Sequence, residues 1–169
     1  MREDELDRVR ELDRREVVHY VYRVRDMKLE LKEEHWNIPE WTAKQKQRYH
    51  RSLLDHHREG GTVFGAFDGP RIAGIIALGK EFINRNKDQL DLAGLWVSNP
   101  YRKQGVGTRL LEMVKNKARA MGAKKLYVSA TPSENTVDFY VNVGFRLAKE
   151  VNREMFEREP EDIHMELDL

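Results

Sequence analysis

The chain contains no cysteine among its 169 residues. This absence excludes disulfide bonds, thiolate metal ligands and a cysteine nucleophile. Three of the six histidines, His50, His56 and His57, lie on one predicted helix, but no acidic residue is arranged with them as a ligand set. We therefore expect no metal site.

The sequence also lacks long apolar runs and an excess of charge of either sign. No segment approaches the ~20 apolar residues that cross a bilayer, and residues 1–5 lack the apolar core of a signal peptide. The 30 Lys and Arg residues nearly balance the 29 Asp and Glu residues, which leaves a net charge of +1. Nucleic-acid binding usually needs a basic excess. We expect a cytoplasmic protein that binds neither nucleic acid nor membrane.

Hydrophobic residues make up 40% of the chain, enough for one domain over residues 1–169. Apolar spacing and turn residues predict alternating helices and strands. The predicted helices span residues 4–16, 43–58 (capped by Thr42), 106–121 and 133–143. The predicted strands span residues 17–24, 29–31, 62–67, 71–78, 90–97, 125–130, 145–151 and 163–169, and residues 36–41 form a loop. This order indicates a mixed α/β fold.

One basic, glycine-containing segment lies between the predicted strand 90–97 and the helix that follows: Arg102-Lys103-Gln104-Gly105-Val106-Gly107. The start of a helix offers unpaired backbone N–H groups and the positive end of the helix dipole, and glycine allows a ligand to approach the backbone. Such a place binds anions, most often phosphate. A purely structural turn explains the same residues equally well.

A second motif lies downstream: Asn135, Tyr140, Gly144 and Phe145. The two motifs together resemble the GCN5-related N-acetyltransferase (GNAT) family. Arg102, Gly105 and Gly107 match the family's acetyl-CoA motif, and Val97 matches the strand end that precedes it. Asn135 and Tyr140, followed by Gly144-Phe145, match its later motif.

The resemblance implies an α/β GNAT fold with a single mixed, mostly antiparallel central sheet, splayed between strands four and five and flanked by helices. It implies transfer of an acetyl group from acetyl-CoA to a primary amine by direct attack on the thioester. The acceptor would be a small molecule or a protein, and the enzyme a monomer or a homodimer. The alternative is a non-catalytic acyl-CoA sensor or interaction module.

The resemblance also assigns roles to the matching residues. The backbone around Leu95, Trp96 and Val97 would pair with the pantetheine arm of acetyl-CoA. The segment that begins at Arg102 would hold the pyrophosphate through the backbone amides of Lys103, Gln104, Gly105, Val106, Gly107 and Thr108. Asn135 would bind the pantetheine or its phosphate end, and Tyr140 would protonate the leaving thiolate. Without the resemblance, Tyr140 reads as a core residue and Asn135 as a helix cap.

The general base and the acceptor site are predicted less directly. In one branch of the family a glutamate lies six residues before the position of Val97, and this chain has Asp91 there. Asp91, acting through a water because its side chain is short, is therefore our candidate base, with a solvated residue at the sheet opening as the alternative. Glu34, Trp36 and Trp41 lie in the acceptor region of the fold, where aromatic rings and carboxylates suit a cationic amine. Family members usually open with a short strand, whereas this chain begins almost directly in its first helix.

Overall fold

The computed structural model describes all residues from 1 to 169 and contains four α-helices, nine strands and two short 3₁₀ helices. None of its helices combines the length and apolarity that crossing a membrane requires. In chain order the elements are a 3₁₀ helix (Glu3–Glu11), β1 (Glu16–Arg25), β2 (Lys28–Ile38), α1 (Ala43–Arg58), β3 (Thr62–Asp68), β4 (Arg71–Leu78), β5 (Gln89–Asp91), β6 (Gly94–Val97), a second 3₁₀ helix (Asn99–Tyr101), α2 (Val106–Ala120), β7 (Lys125–Ala130), α3 (Glu134–Asn142), β8 (Arg146–Leu147), α4 (Arg153–Arg158) and β9 (Ile163–Asp168).

The strands form three hydrogen-bonded sheets, in the orders β1-β2, β3-β4-β6 and β5-β7-β9-β8. Every pairing is antiparallel except that of β5 with β7. The predicted mixed, mostly antiparallel α/β fold is therefore confirmed, and its strands fall into three separately hydrogen-bonded groups. The predicted strand 90–97 is interrupted at Leu92 and Ala93, so that its first part pairs with β7 and its last part with β4. The splaying itself stays a prediction.

The core lies on both faces of the sheets because β4 is apolar on both sides. Ile76 and Leu78 face one cluster, and Ile75 and Ala77, which alternate with them, face the other. The first cluster is completed by β7 and by the apolar stripe of α2 and α3, namely Leu110, Leu111, Val114, Ala118, Val137 and Tyr140. The second cluster is completed by the first 3₁₀ helix and α1. The two motif-bearing helices, α2 and α3, therefore share one core.

Several helices and strands begin or end at residues other than the predicted ones. The first helix is a 3₁₀ helix that ends at Glu11, because Asp13 is held in an extended segment by Ser98 and Asn99. Residues 36–38, predicted as loop, extend β2, since backbone pairing with β1 forms this largely exposed ribbon without an apolar alternation. The strand predicted over 145–151 is only two residues long, and α4 was not predicted. Thr42 caps α1 as expected, through a reciprocal capping box with Gln45.

Candidate active site

The segment before α2 presents a row of unpaired backbone N–H groups. None of the six N–H groups of residues 103–108 donates a hydrogen bond within the protein, and the first that does belongs to Arg109, which donates to the Gly105 carbonyl at 3.0 Å. Lys103 and Gly105 both adopt the left-handed conformation, with φ of 59° and 81°. Left-handed residues next to right-handed ones turn successive N–H groups toward one point, and the helix dipole adds positive potential there. The geometry is that of an anion site.

Gly107 joins this segment to the second motif. A Cβ atom at Gly107 would lie 3.2 Å from the ring of Phe139 on α3, closer than a carbon side chain packs comfortably. Glycine thus allows the first turn of α2 to lie directly against α3. The two motifs recognised in the sequence are therefore neighbours in the fold.

The side chain of Arg102 holds together the elements next to the anion site. Its Nε donates to the Val97 carbonyl at 3.1 Å, its Nη2 donates to the Arg14 carbonyl at 3.2 Å, and its Nη1 pairs with Glu16 at 3.2 Å. Its backbone N–H donates to the Asn99 carbonyl. The side chain therefore ties the end of β6 to the segment before β1. Direct contact of Arg102 with a cofactor stays a prediction.

The strand that carries Leu95, Trp96 and Val97 has one unpaired edge. These residues, all in β6, pair with Ile76, Ile75 and Gly74 of β4, and β6 has no strand on its other side. An extended ligand can add to such an edge through main-chain hydrogen bonds. The unpaired edge and the row of free N–H groups follow each other along the chain, separated only by residues 98–102.

Tyr140 lies close enough to Asp91 for the carboxylate charge to affect its ionisation. Tyr140 is 4% exposed, and its hydroxyl makes no hydrogen bond within the protein. Burial raises the pKa of its phenol, and the negative charge of Asp91 adds to this effect. The structure therefore brings the candidate acid and the candidate base into electrostatic range, and their catalytic roles stay predictions.

Asp91 ends β5, and its carboxylate makes neither a hydrogen bond nor an ion pair with a side chain of the protein. Burial raises its pKa to about 7 from an ordinary value of 3.8; the positive charge of Arg158 opposes this shift and the negative charge of Glu159 adds to it. A carboxyl group with a pKa near neutrality is well suited to act as a general base. This environment favours the functional interpretation of Asp91 over that of an ordinary solvated residue.

A hydrogen-bonded chain that sequence reasoning missed lies next to Asp91. Tyr127, opposite Asp91 in the β5–β7 register, shares a 2.9 Å hydrogen bond with His164 Nδ1. Because His164 Nε2 lies 3.2 Å from the Glu159 carbonyl, which can only accept, Nε2 carries the proton and Nδ1 accepts from Tyr127. Burial lowers the pKa of His164, which keeps the ring neutral. This series of hydrogen bonds holds the α4 segment against the sheet.

Asn135, at the start of α3, is exposed, and its Nδ2 donates to Glu16 Oε1 at 2.8 Å. The Oδ1 atom of the same amide makes no hydrogen bond within the protein. Glu16 was not a candidate in the sequence, because it lies far from both motifs and only the folded chain brings it between them.

Of the predicted acceptor residues, Glu34 and Trp36 lie together on β2. The Trp36 indole N–H donates to Glu34 Oε1 at 2.9 Å, and Arg23 pairs with the other oxygen at 3.2 Å. Trp41 is instead a core residue. It is 4% exposed and stacks on Tyr49 with ring centroids 4.4 Å apart, so the expectation that it contacts an acceptor is corrected.

Comparison with known proteins identifies the fold family. The family model described as "Acetyltransferase (GNAT) family" matches residues 21–145. The chain belongs to this family. The GNAT membership predicted from the two motifs is thereby confirmed, and the protein is an acyltransferase. A search of curated proteins gives no match.

Solved structures of GNAT acetyltransferases share this fold at low sequence identity. A nourseothricin acetyltransferase is 16% identical with a TM-score of 0.70, over 98% of this chain and 93% of its own. A putative streptothricin acetyltransferase from Bacillus anthracis, in complex with acetyl coenzyme A, is 17% identical with a TM-score of 0.67, over 100% and 94%. An aminoglycoside 6'-N-acetyltransferase complexed with coenzyme A is 15% identical with a TM-score of 0.57, over 71% and 79%.

The acetyltransferase contains no group of three or more His, Asp and Glu side chains placed to hold a metal ion.

The raised pKa of Asp91 predicts a pH-dependent stability. In the unfolded chain this carboxyl ionises near its ordinary value of 3.8, whereas in the fold it ionises near 7. The native state therefore holds an extra proton between these values, and the free energy of unfolding falls as the pH rises through this window. Asp91→Asn removes the effect, so we expect the melting temperature of the variant, relative to wild type, to be higher at pH 8 than at pH 4.

Asp168→Asn is the control. Hydrogen bonding to Arg146 lowers the pKa of Asp168 below its ordinary value of 3.8, so its contribution to stability is lost only as the pH falls below about 4. The melting temperature of this variant relative to wild type should therefore stay nearly constant between pH 4 and pH 8. Parallel behaviour of the two variants would show that Asp91 is not held protonated by the fold.

Proposed function

We propose that this GNAT enzyme transfers an acetyl group from acetyl-CoA to the amine of a small molecule or a protein. The observation that carries the proposal is the row of six unpaired N–H groups at residues 103–108, placed directly after a strand with a free edge. Such an arrangement suits a ligand that has a pyrophosphate at one end and an extended amide chain at the other. Coenzyme A has this form.

The residues of the site fit this ligand in order. The amides of residues 103–108 would hold the pyrophosphate, since backbone N–H groups at a helix start favour anions. The free edge of β6 would pair with the pantetheine arm, and a β6 N–H would polarise the thioester carbonyl. Structural relatives crystallised with coenzyme A or acetyl coenzyme A support the assignment.

In the proposed reaction the neutral amine attacks the thioester carbonyl carbon, which forms the C–N bond and breaks the C–S bond. Asp91 takes the proton that the amine loses, and the coenzyme A thiolate leaves with a proton from the Tyr140 hydroxyl. Burial keeps this hydroxyl protonated until it is needed. When Asp91 becomes neutral, the charge that raised the pKa of Tyr140 disappears, so proton uptake at Asp91 assists proton donation by Tyr140.

For the acceptor we propose a cationic amine, because the α4 segment offers a carboxylate and an exposed aromatic ring. Glu159 is close enough to Asp91 to raise its pKa, against the opposing charge of Arg158, and the exposed ring of Phe156 lies on α4. The relatives include acetyltransferases whose names refer to nourseothricin, streptothricin and aminoglycosides. Contact of Glu34 and Trp36 with the acceptor stays a prediction.

Thiol release from acetyl-CoA across a panel of amines tests the proposed activity. We expect turnover with at least one cationic amine, and a kcat/KM that rises with pH with a midpoint near 7, as Asp91 ionises. Tyr140→Phe should lower kcat by about 10²- to 10⁴-fold, the usual contribution of a general acid, with unchanged coenzyme A binding. Asp91→Asn should abolish the rise of kcat/KM near pH 7. Coenzyme A binding without turnover on any amine would indicate the non-catalytic sensor instead.

A pair of glycine variants tests the anion site. Gly105 (φ 81°) and Gly122 (φ 87°) stand at opposite ends of α2, and a Cβ at either would meet no atom within 4 Å. Alanine is strained at both positions by about 1–2 kcal/mol. We expect Gly105→Ala to raise the Kd for coenzyme A in calorimetric titrations, because relief of the strain turns the free N–H groups away. Gly122→Ala should leave Kd unchanged, and equal losses in both variants would refute the assignment.

A further inference from the structure

The carboxylate of Glu16 joins the two motifs of the site although it belongs to neither. Its Oε1 accepts from Asn135 Nδ2 at 2.8 Å, and its Oε2 pairs with Arg102 Nη1 at 3.2 Å. The side chain is only 15% exposed, against 31% for that of Arg102. A carboxylate held this closely beside an anion site needs a physical reason.

The backbone fixes Glu16 independently of Asn135. The Asn99 N–H donates to the Asp13 carbonyl at 2.7 Å, and the Asn99 side chain donates to the Arg15 carbonyl at 2.6 Å. Further along β1, the Tyr22 N–H donates to the Pro132 carbonyl at 2.7 Å. Residues 13–22 therefore run from the end of β6 to the end of β7, and Glu16 lies between these two contacts.

This position determines which end of the Asn135 amide is free. An ionised carboxylate only accepts hydrogen bonds, so Asn135 must turn its NH₂ group toward Glu16. The Oδ1 atom is left without a partner in the protein. The pantetheine arm of coenzyme A carries amide N–H donors, for which a fixed carbonyl oxygen is the matching acceptor.

The charge of Glu16 alone would act in the opposite direction. A negative group near the pyrophosphate site repels an anionic ligand, and Arg102 offsets this repulsion only in part. If Glu16 acted through its charge, its neutralisation would strengthen coenzyme A binding. If it acts by orienting Asn135, its neutralisation weakens binding. The two effects differ in sign.

We propose that Glu16 is a positioning residue for acetyl-CoA: it holds the Asn135 amide with Oδ1 free to accept an N–H of the pantetheine arm. The inference rests on the proposed function, since it requires coenzyme A to bind along β6 and at the starts of α2 and α3. Arg102 contributes by holding the other oxygen of Glu16 and the end of β6 in place.

A double-mutant cycle on coenzyme A binding tests this role by calorimetry. Glu16→Gln has the same size, but its amide can donate or accept, so Asn135 is free to turn either way. We expect Glu16→Gln to raise Kd by about three- to tenfold, the scale of one hydrogen bond. Asn135→Ala should give a loss of similar size, and the double variant no further loss, because both changes remove the same contact.

Glu134→Gln is the matched control, since it neutralises the neighbouring carboxylate, which accepts from the His19 N–H at 3.1 Å and does not touch Asn135. Its Kd should be unchanged or lower. Glu16→Ala, with thermal melting to confirm its fold, should repeat the loss seen in Glu16→Gln. Unchanged or tighter binding by both Glu16 variants, or losses that add to that of Asn135→Ala, would overturn the inference. Failure of the wild-type enzyme to bind coenzyme A would instead overturn the proposed function.

Discussion

The structure of this site depends on one constraint: the first N–H groups of a helix have no partners within it. In this protein the left-handed residues Lys103 and Gly105 extend that set upstream, so that six consecutive N–H groups remain unpaired. Unpaired donors are costly where water is excluded, and an anionic ligand satisfies them. The surrounding elements can be understood as supports for this row. Gly107 sets it against α3, and Arg102 fixes the strand that leads into it.

The ionisation of the proposed acid and base is governed by burial rather than by ion pairing. Asp91 has no cation in contact, and desolvation raises its pKa to about 7. Tyr140 is buried within the core shared by α2 and α3, and its phenol stays protonated. The neutral His164 and Tyr127 hold the α4 segment, whose residues Arg158 and Glu159 adjust the pKa of Asp91. One electrostatic environment thus couples the proposed acid and base.

Local sequence patterns predicted much of this structure, because the start of a helix depends on residues that are close together in the chain. Glycine and basic residues before an apolar stripe marked the start of α2, and Thr42 with Gln45 marked the start of α1. The break in the strand at Leu92 was not visible, since the apolar pattern continues across it while the pairing partner changes. Glu16, Tyr127 and His164 were missed for a related reason. Their roles come from contacts between residues 25 to 119 positions apart, which no local pattern encodes.

The most direct test of the account is hydrogen–deuterium exchange at the backbone amides of residues 103–108, with and without coenzyme A. The unpaired N–H groups should exchange rapidly in the free enzyme and become protected when coenzyme A binds. Pantetheine, which lacks the pyrophosphate, should not protect them. Protection by coenzyme A elsewhere in the chain, with these six amides unchanged, would contradict the account.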